Sequence, residues 1–282
     1  MEIEKIKEIV SQMTLAEKAS LCSGDTDWTT TAVPRLGVPP IWVSDGPYGL
    51  RKENTVGVDE TNGHPIKETV PAICFPAGVT STSSFDVDLL FEEGQALGRN
   101  CAANDVSVLL GPALNIKRSP LCGRNFEYFS EDPLLAGKMA AAYINGVQSM
   151  QVGTSAKHFA ANSQEHRRMT SSSEMDERTL REIYLTGFEI AVKEAQPWTI
   201  MSSYNKLNGT YASQNKKLLT DILVNEWGFE GFVMSDWGAV HDRVEAVDAG
   251  CSLTMPYDTA HDHLLVDAVK AGRLDEAALD LA

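Results

Sequence analysis

The sequence lacks several features that would assign a protein to a well-defined class. It has no hydrophobic run long enough to cross a bilayer, and the charged start "MEIEKIKEIV" is unlike a secretory signal peptide. Its five cysteines include no Cys-x-x-Cys pair, which disfavours a disulfide framework or a zinc ribbon and favours a reducing compartment. No Gly-x-Gly-x-x-Gly follows a strand pattern, and no Walker-type phosphate loop is present.

Positive charge is also scarce. The chain has 24 Lys and Arg residues against 39 Asp and Glu residues, which gives a net charge of −15. Such a surface repels nucleic acids and anionic membranes, so we expect neither as a partner. The composition fits a soluble cytoplasmic protein. A length of 282 residues is sufficient for one large α/β domain.

Short apolar runs alternate with helical patterns along the chain. The apolar runs lie at 41–43, 106–110, 198–201 and 232–234. The helical patterns lie at 3–13, 86–103, 133–150, 176–195, 216–227 and 262–271. Strands that alternate with helices over this length predict a parallel sheet, open or closed.

Capping residues support several of these helix boundaries. Thr14 followed by Glu17 predicts a capping box that opens a short second helix. Asp132 precedes Pro133, which is the arrangement of an N-cap and a first helical residue. Gly228 follows the pattern at 216–227, as a glycine after a helix C-terminus does.

Polar residues end five short segments, which are the four apolar runs and "GTSAKHF" at 153–159. They are Asp45, Asn115, the pair Lys157 and His158, the pair Tyr204 and Asn205, and Asp236. One such residue can simply begin a loop, but a TIM-type barrel builds its site from the carboxyl ends of many strands. An open doubly wound sheet would concentrate them near one switch point. We therefore predict one (β/α)8 TIM-type barrel domain over 1–282, with irregular first strands allowed.

If these strand ends converge, a polar site results. Its members would be Asp45, Arg51, Arg124, Lys157, His158, Tyr204, Asp236 and Trp237. Nearby cations and hydrogen-bond donors are expected to keep Asp236 ionised, which favours a nucleophile over an acid. Trp237 offers a flat apolar face for a sugar ring, and charged groups bind hydroxyls strongly. The set predicts a polyhydroxylated ligand.

Other acidic residues and histidines have simpler interpretations. His158, Glu165 and His166 are candidate metal ligands, but their spacing is not that of His-Glu-x-x-His, and no metal site is predicted. Glu165 and Arg168 are three residues apart, which predicts a local ion pair. We interpret Glu127, Glu131 and Asp132 as a structural or capping cluster.

Six motifs together resemble glycoside hydrolase family 3, and specifically its β-glucosidase branch. They are "DGPYGLRK" (45–52), "NIKRSPLCGRN" (115–125), "GRNFEYFSEDP" (123–133), "KHFAANSQEHRR" (157–168), "MDERTLREIYL" (175–185) and "SDWGAVHDR" (235–243). The motifs occur in the order of the family and span essentially the whole chain.

The resemblance implies a role for each site residue. Asp236 is similar to the nucleophile that forms a glycosyl-enzyme with retention of configuration. The residues similar to those that hold the non-reducing sugar are Asp45, Arg124, Lys157 and His158. Tyr204 is similar to a tyrosine beside the nucleophile, Met201 to a wall residue, and Trp237 to an aromatic neighbour. The implied substrate is a β-glucoside or oligosaccharide, and no cofactor is implied.

One part of the family's machinery is not found. Retaining hydrolysis needs a second carboxyl group about 5–5.5 Å from the nucleophile, as acid and then base. In two-domain members a separate α/β sandwich domain supplies this Glu, and we expect that domain to be absent here. Three readings follow: a weakly active β-glucosidase barrel, a barrel that another chain completes, and a non-catalytic sugar-binding or scaffold barrel. The uncovered barrel surface is expected to promote self-association.

Overall fold

The fold is described by a computed structural model that covers residues 3–59, 61 and 64–282. It contains helices and strands in alternation, which confirms the predicted α/β class. Among the helices described, none is both long enough and apolar enough to span a membrane.

Twelve strands are present in the described residues. In chain order they are β1 (Ser23–Gly24), β2 (Val43–Ser44), β3 (Glu53–Val58), β4 (Pro65–Thr69), β5 (Val108–Leu109), β6 (Gly153–Phe159), β7 (Ser172–Ser173), β8 (Thr199–Ser202), β9 (Lys206–Leu207), β10 (Thr210–Tyr211), β11 (Phe232–Ser235) and β12 (Cys251–Tyr257).

The helices in the same residues are of three kinds. The α-helices are α1 (Ile3–Gln12), α2 (Leu15–Leu21), α3 (Gly78–Thr82), α4 (Val87–Ala102), α5 (Pro133–Gln148), α6 (Glu177–Thr179), α7 (Thr186–Ala195), α8 (Arg243–Ala249), α9 (Asp262–Lys270) and α10 (Glu276–Leu281). Two π-helical segments span Leu180–Leu185 and Lys217–Glu226. Short 3-10 turns span Pro34–Leu36, Ala212–Gln214 and Thr259–His261.

The central sheet is parallel, as predicted. Its strand order is β1-β12-β11-β8-β6-β5-β2. From β2 to β12 the strands therefore follow one another across the sheet in chain order, and β1 lies beside β12. Within the described residues this sheet has seven strands, and the eight-stranded closure that the sequence predicts is not observed there. The departure lies at the first strands, because antiparallel bridges Gly24–Thr30 and Thr29–Trp42 connect the end strands β1 and β2.

The predicted helix caps are confirmed. The side chain of Thr14 accepts from the backbone N–H of Glu17, and the Glu17 carboxylate accepts from the backbone N–H of Thr14. The Asp132 carboxylate accepts from the N–H groups of Leu134 and Leu135 at the start of α5. These bonds satisfy N–H groups that a helix start otherwise leaves without partners.

The predicted helices at 176–195 and 216–227 are interrupted by π geometry or replaced by it. In the first, the Thr186 hydroxyl donates to the carbonyl oxygen of Arg181, five residues earlier, at 2.8 Å. Apolar spacing alone does not distinguish π from α geometry, because both present one apolar face to the sheet.

Helices α4 and α5 pack closely on the outside of the sheet. A Cβ atom at Gly94 would lie 2.4 Å from the carbonyl oxygen of Tyr143, and one at Gly146 would lie 2.2 Å from that of Phe91. Glycine is therefore required where the two backbones approach. The contact buries Leu90, Leu97 and Ile144 in the main hydrophobic core, which fixes this side of the sheet.

Candidate active site

A cavity of about 390 Å³ lies at the carboxyl ends of the parallel strands. Its lining contains every residue that the sequence analysis assigned to the site, together with three others. The assigned residues are Asp45, Arg51, Arg124, Lys157, His158, Met201, Tyr204, Asp236 and Trp237, and the additional ones are Trp28, Leu110 and Arg168. The structure thus brings side chains from β1, β2, β5, β6, β8 and β11, or from the loops that follow them, into one place.

Asp236 directly follows β11 and is 8% exposed. One carboxylate oxygen, Oδ1, accepts a hydrogen bond from the backbone N–H of Trp237 at 2.8 Å. The other, Oδ2, has no hydrogen-bond donor among the residues that the structure describes. A buried polar atom without a partner is costly, so its presence in a cavity suggests a functional reason.

His158 is held from both sides of its ring. A guanidinium nitrogen of Arg124, Nη2, lies 2.9 Å from His158 Nε2. Because a guanidinium can only donate, Nε2 is the acceptor and the ring proton is assigned to Nδ1. Nδ1 then donates to the Asn115 Oδ1 atom at 3.3 Å, and that oxygen also accepts from the backbone N–H of His158 at 2.8 Å.

This tautomer determines the contact between His158 and Asp236. His158 Nε2 lies 3.6 Å from Asp236 Oδ2, and both atoms present lone pairs, so the contact is not an ion pair. Burial lowers the pKa of His158 well below its ordinary value, and the charge of Arg124 lowers it further. The imidazole is therefore neutral at pH 7 and donates no hydrogen bond to Oδ2.

The pKa of Asp236 departs from the expectation drawn from the sequence. Burial raises the pKa, whereas the Trp237 N–H, the charges of Lys157 and Arg124 and the nearby Tyr204 hydroxyl lower it without cancelling the effect of burial. The surrounding cations therefore only partly maintain the ionised form. Depth of burial decides the direction, and neighbouring residue types do not reveal that depth.

Asp45 is ionised more strongly than an ordinary aspartate. Its Oδ1 atom lies 3.0 Å from Lys157 Nζ, and its Oδ2 atom lies 3.2 Å from a guanidinium nitrogen of Arg51. Burial acts to raise the pKa of Asp45, but the charge and hydrogen bond of Lys157 outweigh it and lower the pKa to about 2. Asp45 can accept hydrogen bonds from a ligand's hydroxyl groups but cannot supply a proton at neutral pH.

An aromatic wall closes one side of the cavity. The rings of Trp28 and Trp237 are 5.3 Å apart at an angle of 41°. The Trp237 indole N–H donates to the carbonyl oxygen of Asp27 at 2.9 Å, and the Tyr204 hydroxyl donates to the carbonyl oxygen of Trp237 at 3.0 Å. Trp28 was not predicted from the sequence. It follows β1, a strand of two residues that contains no apolar run by which the strand could be recognised.

Arg168 is the charged residue among the three lining residues that sequence reasoning left outside the site. Its predicted ion pair with Glu165 is confirmed, with 2.6 Å between Nη1 and Oε2. Its guanidinium carbon also lies 4.6 Å from the centre of the Tyr204 ring, a cation–π arrangement, and the residue lines the cavity. Burial and the nearby Asp236 charge raise the pKa of Tyr204, so its hydroxyl remains a donor.

The lining of the cavity, as formed by the described residues, contains no cysteine. In the described part of the chain, no three His, Cys, Asp or Glu side chains are grouped as a metal site. The five cysteines are free thiols, of which only Cys74 is exposed.

The parallel sheet and the polar cavity at its carboxyl edge define an α/β protein with a site of the TIM-barrel kind. The chain belongs to glycosyl hydrolase family 3. Residues 54–282 match the model of the glycosyl hydrolase family 3 N terminal domain.

Named relatives agree with this assignment. The chain is 56% identical over 280 residues to thermostable beta-glucosidase B of Acetivibrio thermocellus, covering 98% of this chain and 36% of the relative. It is 50% identical over 271 residues to an exo-alpha-(1->6)-L-arabinopyranosidase of Bifidobacterium breve, covering 96% and 35%. These relatives are glycoside hydrolases by name. The chain spans about a third of their length.

A solved structure shows the same fold. Beta-glucosidase 3B from Thermotoga neapolitana, in complex with glucose, superposes with a TM-score of 0.91 at 45% identity. The match covers 98% of this chain and 41% of that one.

Proposed function

We propose that the chain carries the nucleophile and the sugar-binding subsite of a retaining β-glycosidase of the β-glucosidase type, built on a TIM-like barrel. The observation on which this depends most is Asp236 Oδ2, a buried carboxylate oxygen without a donor in a cavity lined by cations and two tryptophans. Names of the relatives support a glucoside substrate. In this proposal the ligand is held by Asp45, Arg51, Arg124, Lys157, His158, Met201, Tyr204 and Trp237.

The reaction would proceed by two displacements. Asp236 Oδ2 attacks the anomeric carbon, and the bond from that carbon to the leaving oxygen breaks with its electron pair. Water then attacks the same carbon, the bond to Oδ2 breaks, and the proton of the water is released. Two inversions give net retention. Oδ2 must be unprotonated for the first attack, because the ionised carboxylate is the nucleophile.

The proton donor for the leaving group would come from outside this cavity. Only Asp45 and Asp236 contribute carboxylates to the lining, and Asp45, with a pKa of about 2, is ionised. Leu121 and Phe126 flank Arg124 and are 91% and 59% exposed. We therefore propose that an α/β sandwich domain, another chain or a second copy covers this side and brings the acid. Alone, the barrel would be weakly active.

A binding role without catalysis is the second candidate. Two observations favour it: the raised pKa of Asp236 weakens that carboxylate as a nucleophile, and the ionised Asp45 cannot act as an acid. General-acid help contributes about 10²–10⁴ in rate for natural leaving groups, so a barrel without it could retain ligand binding alone.

Turnover of 2,4-dinitrophenyl β-glucoside with added azide separates these functions, because the phenolate leaves without an acid. A retaining barrel releases dinitrophenolate and forms β-glucosyl azide, identified by NMR of the anomeric proton. Production of α-glucosyl azide would contradict a double displacement. Glucose binding without dinitrophenolate release would support the binding role, and the corresponding α-L-arabinopyranoside tests the sugar.

A further inference from the structure

Glu127 is a buried carboxylate next to the cavity but not in its lining. It is 5% exposed, and its Oε1 atom accepts a hydrogen bond from Arg124 Nε. The backbone N–H of Glu127 donates to the carbonyl oxygen of Arg124 at 3.1 Å. Side chain and backbone together tie Glu127 to Arg124 in one tight turn.

This turn is held firmly by the elements beneath it. The Tyr48 hydroxyl donates to the carbonyl oxygen of Glu127. A Cβ atom at Gly78, the first residue of α3, would lie 2.2 Å from that hydroxyl oxygen and 2.6 Å from the same carbonyl oxygen. Because α3 packs directly on the turn, Glu127 has little freedom to follow Arg124 if the arginine moves.

The Arg124 guanidinium is thus anchored at two places. Its Nε atom donates to Glu127, and its Nη2 atom donates to His158 Nε2 at 2.9 Å. A guanidinium is planar, so an acceptor at Nε sets the directions in which the other N–H groups point. The carboxylate of Glu127 therefore fixes the donor that gives His158 its neutral tautomer.

We propose that Glu127 is a positioning residue of the active site: it orients Arg124 so that His158 keeps Nε2 as an acceptor and donates no hydrogen bond to Asp236 Oδ2. The effect of Glu127 on catalysis rests on the proposed function. Its effect on the orientation of Arg124 and on the tautomer of His158 does not. Besides Arg124, the charged or titratable groups near His158 are Lys157, Arg168, Tyr128 and Asp236.

The test uses nitrogen NMR of the His158 ring together with the rate of glycosyl-enzyme formation. Glu127→Gln keeps an acceptor for Arg124 Nε, and we expect the Nδ1–H tautomer and a trapping rate within about threefold of wild type. Glu127→Met keeps the size but removes the acceptor. We expect its Nε2 resonance to shift and its trapping rate to fall at least tenfold.

A matched control is Glu189→Met, which breaks a surface ion pair with Lys193 and should change neither measurement. Glu127→Asp covers the case in which Glu127→Met does not fold. It keeps the charge but is one methylene shorter, so a purely charge-neutralising role predicts no change, whereas positioning predicts the same His158 shift and slower trapping.

Unchanged His158 resonances in folded Glu127→Met or Glu127→Asp would overturn the inference. If wild type forms no glycosyl-enzyme while these resonances move in the variants, the positioning role stands and the proposed function fails. If wild type is trapped and the resonances do not move, the proposed function stands and the positioning role fails.

Discussion

The backbone N–H of Trp237 donates to Oδ1 of Asp236 at 2.8 Å and leaves Oδ2 of the same carboxylate without a donor in the described residues. One oxygen is therefore fixed and the other is available. A carboxylate oriented in this way is suited to nucleophilic attack, because its reacting lone pair need not first be released from a hydrogen bond.

Replacing Asp236 by Asn should stabilise the protein at neutral pH while removing the nucleophile. Burial raises the pKa of Asp236, so the folded state favours the protonated form. The stability that this group contributes is present at low pH and is lost as the pH rises through the raised pKa. The Tm of Asp236→Asn minus that of wild type, measured by calorimetry, should be positive at pH 7 and shrink towards acid pH. A difference independent of pH would contradict this assignment.

The rate of glycosyl-enzyme formation should fall in acid at a pH above the ordinary value of 3.8 for an aspartate. Only ionised Asp236 attacks, and its pKa is raised. His158, with its pKa lowered by burial and by Arg124, should add no inflection near its ordinary value of 6.5. Initial trapping rates across the pH range measure this. Two inflections in place of one would show that a second group titrates, contrary to a His158 that stays neutral.

Replacing Asp45 by Asn should destabilise the fold through Lys157. That lysine side chain is 5% exposed and would lose its carboxylate partner at 3.0 Å. Breaking a buried pair costs about 3–5 kcal/mol, which we reduce to about 1–3 kcal/mol because Asp45 itself is 32% exposed. Urea unfolding at pH 7 measures the loss.

The matched control for Asp45 is Asp27→Asn, whose partner Lys67 is 38% exposed and whose loss should cost less than about 1 kcal/mol. The pKa of Asp45 is lowered to about 2, so its stabilising effect is complete above 3.8 and is lost as the pH falls towards 2. The losses of unfolding free energy in Asp45→Asn and Asp27→Asn should therefore become equal in acid. Equal losses of unfolding free energy at pH 7 would mean that the pair of Lys157 and Asp45 stabilises the fold no more than the exposed control pair does.

Arg243 should be the most sensitive charged residue outside the cavity. Its side chain is 4% exposed and lies 3.0 Å from an oxygen of Asp258 and 3.2 Å from one of Asp262, which joins α8 to the segment after β12. Arg243→Met removes the buried cation from both carboxylates and should cost about 3–5 kcal/mol in urea unfolding. Lys216→Met, which breaks an exposed pair, is the control, and similar losses in both would contradict this ranking.

Local signals in the sequence predicted much of the fold. Thr14, Asp132 and the alternation of apolar runs act within a few residues, so the caps, the parallel sheet and its polar edge could be read directly. The departure from the predicted eight-stranded closure could not be read from the sequence. Between β1 and β2 the chain forms an antiparallel bridge from Thr29 to Trp42, and no periodic pattern marks such a bridge.

The composition of the site was more predictable than its electrostatics. Residues at strand ends converge because parallel strands end at the same edge. Trp28 and Arg168 were missed, since Trp28 follows a strand of two residues and Arg168 reaches the cavity from within a loop ion pair. The raised pKa of Asp236 depends on depth of burial, which is a property of the assembled fold.

The most direct test of the account is the mass of the intact protein after incubation with 2,4-dinitrophenyl 2-deoxy-2-fluoro-β-glucoside. This compound needs no acid for the first displacement, and its fluorine slows the second. We expect a gain of one fluorosugar that maps by peptide digestion to Asp236 and is absent in Asp236→Asn. No gain in folded protein, or a label on another residue, would contradict Asp236 as the nucleophile of this chain.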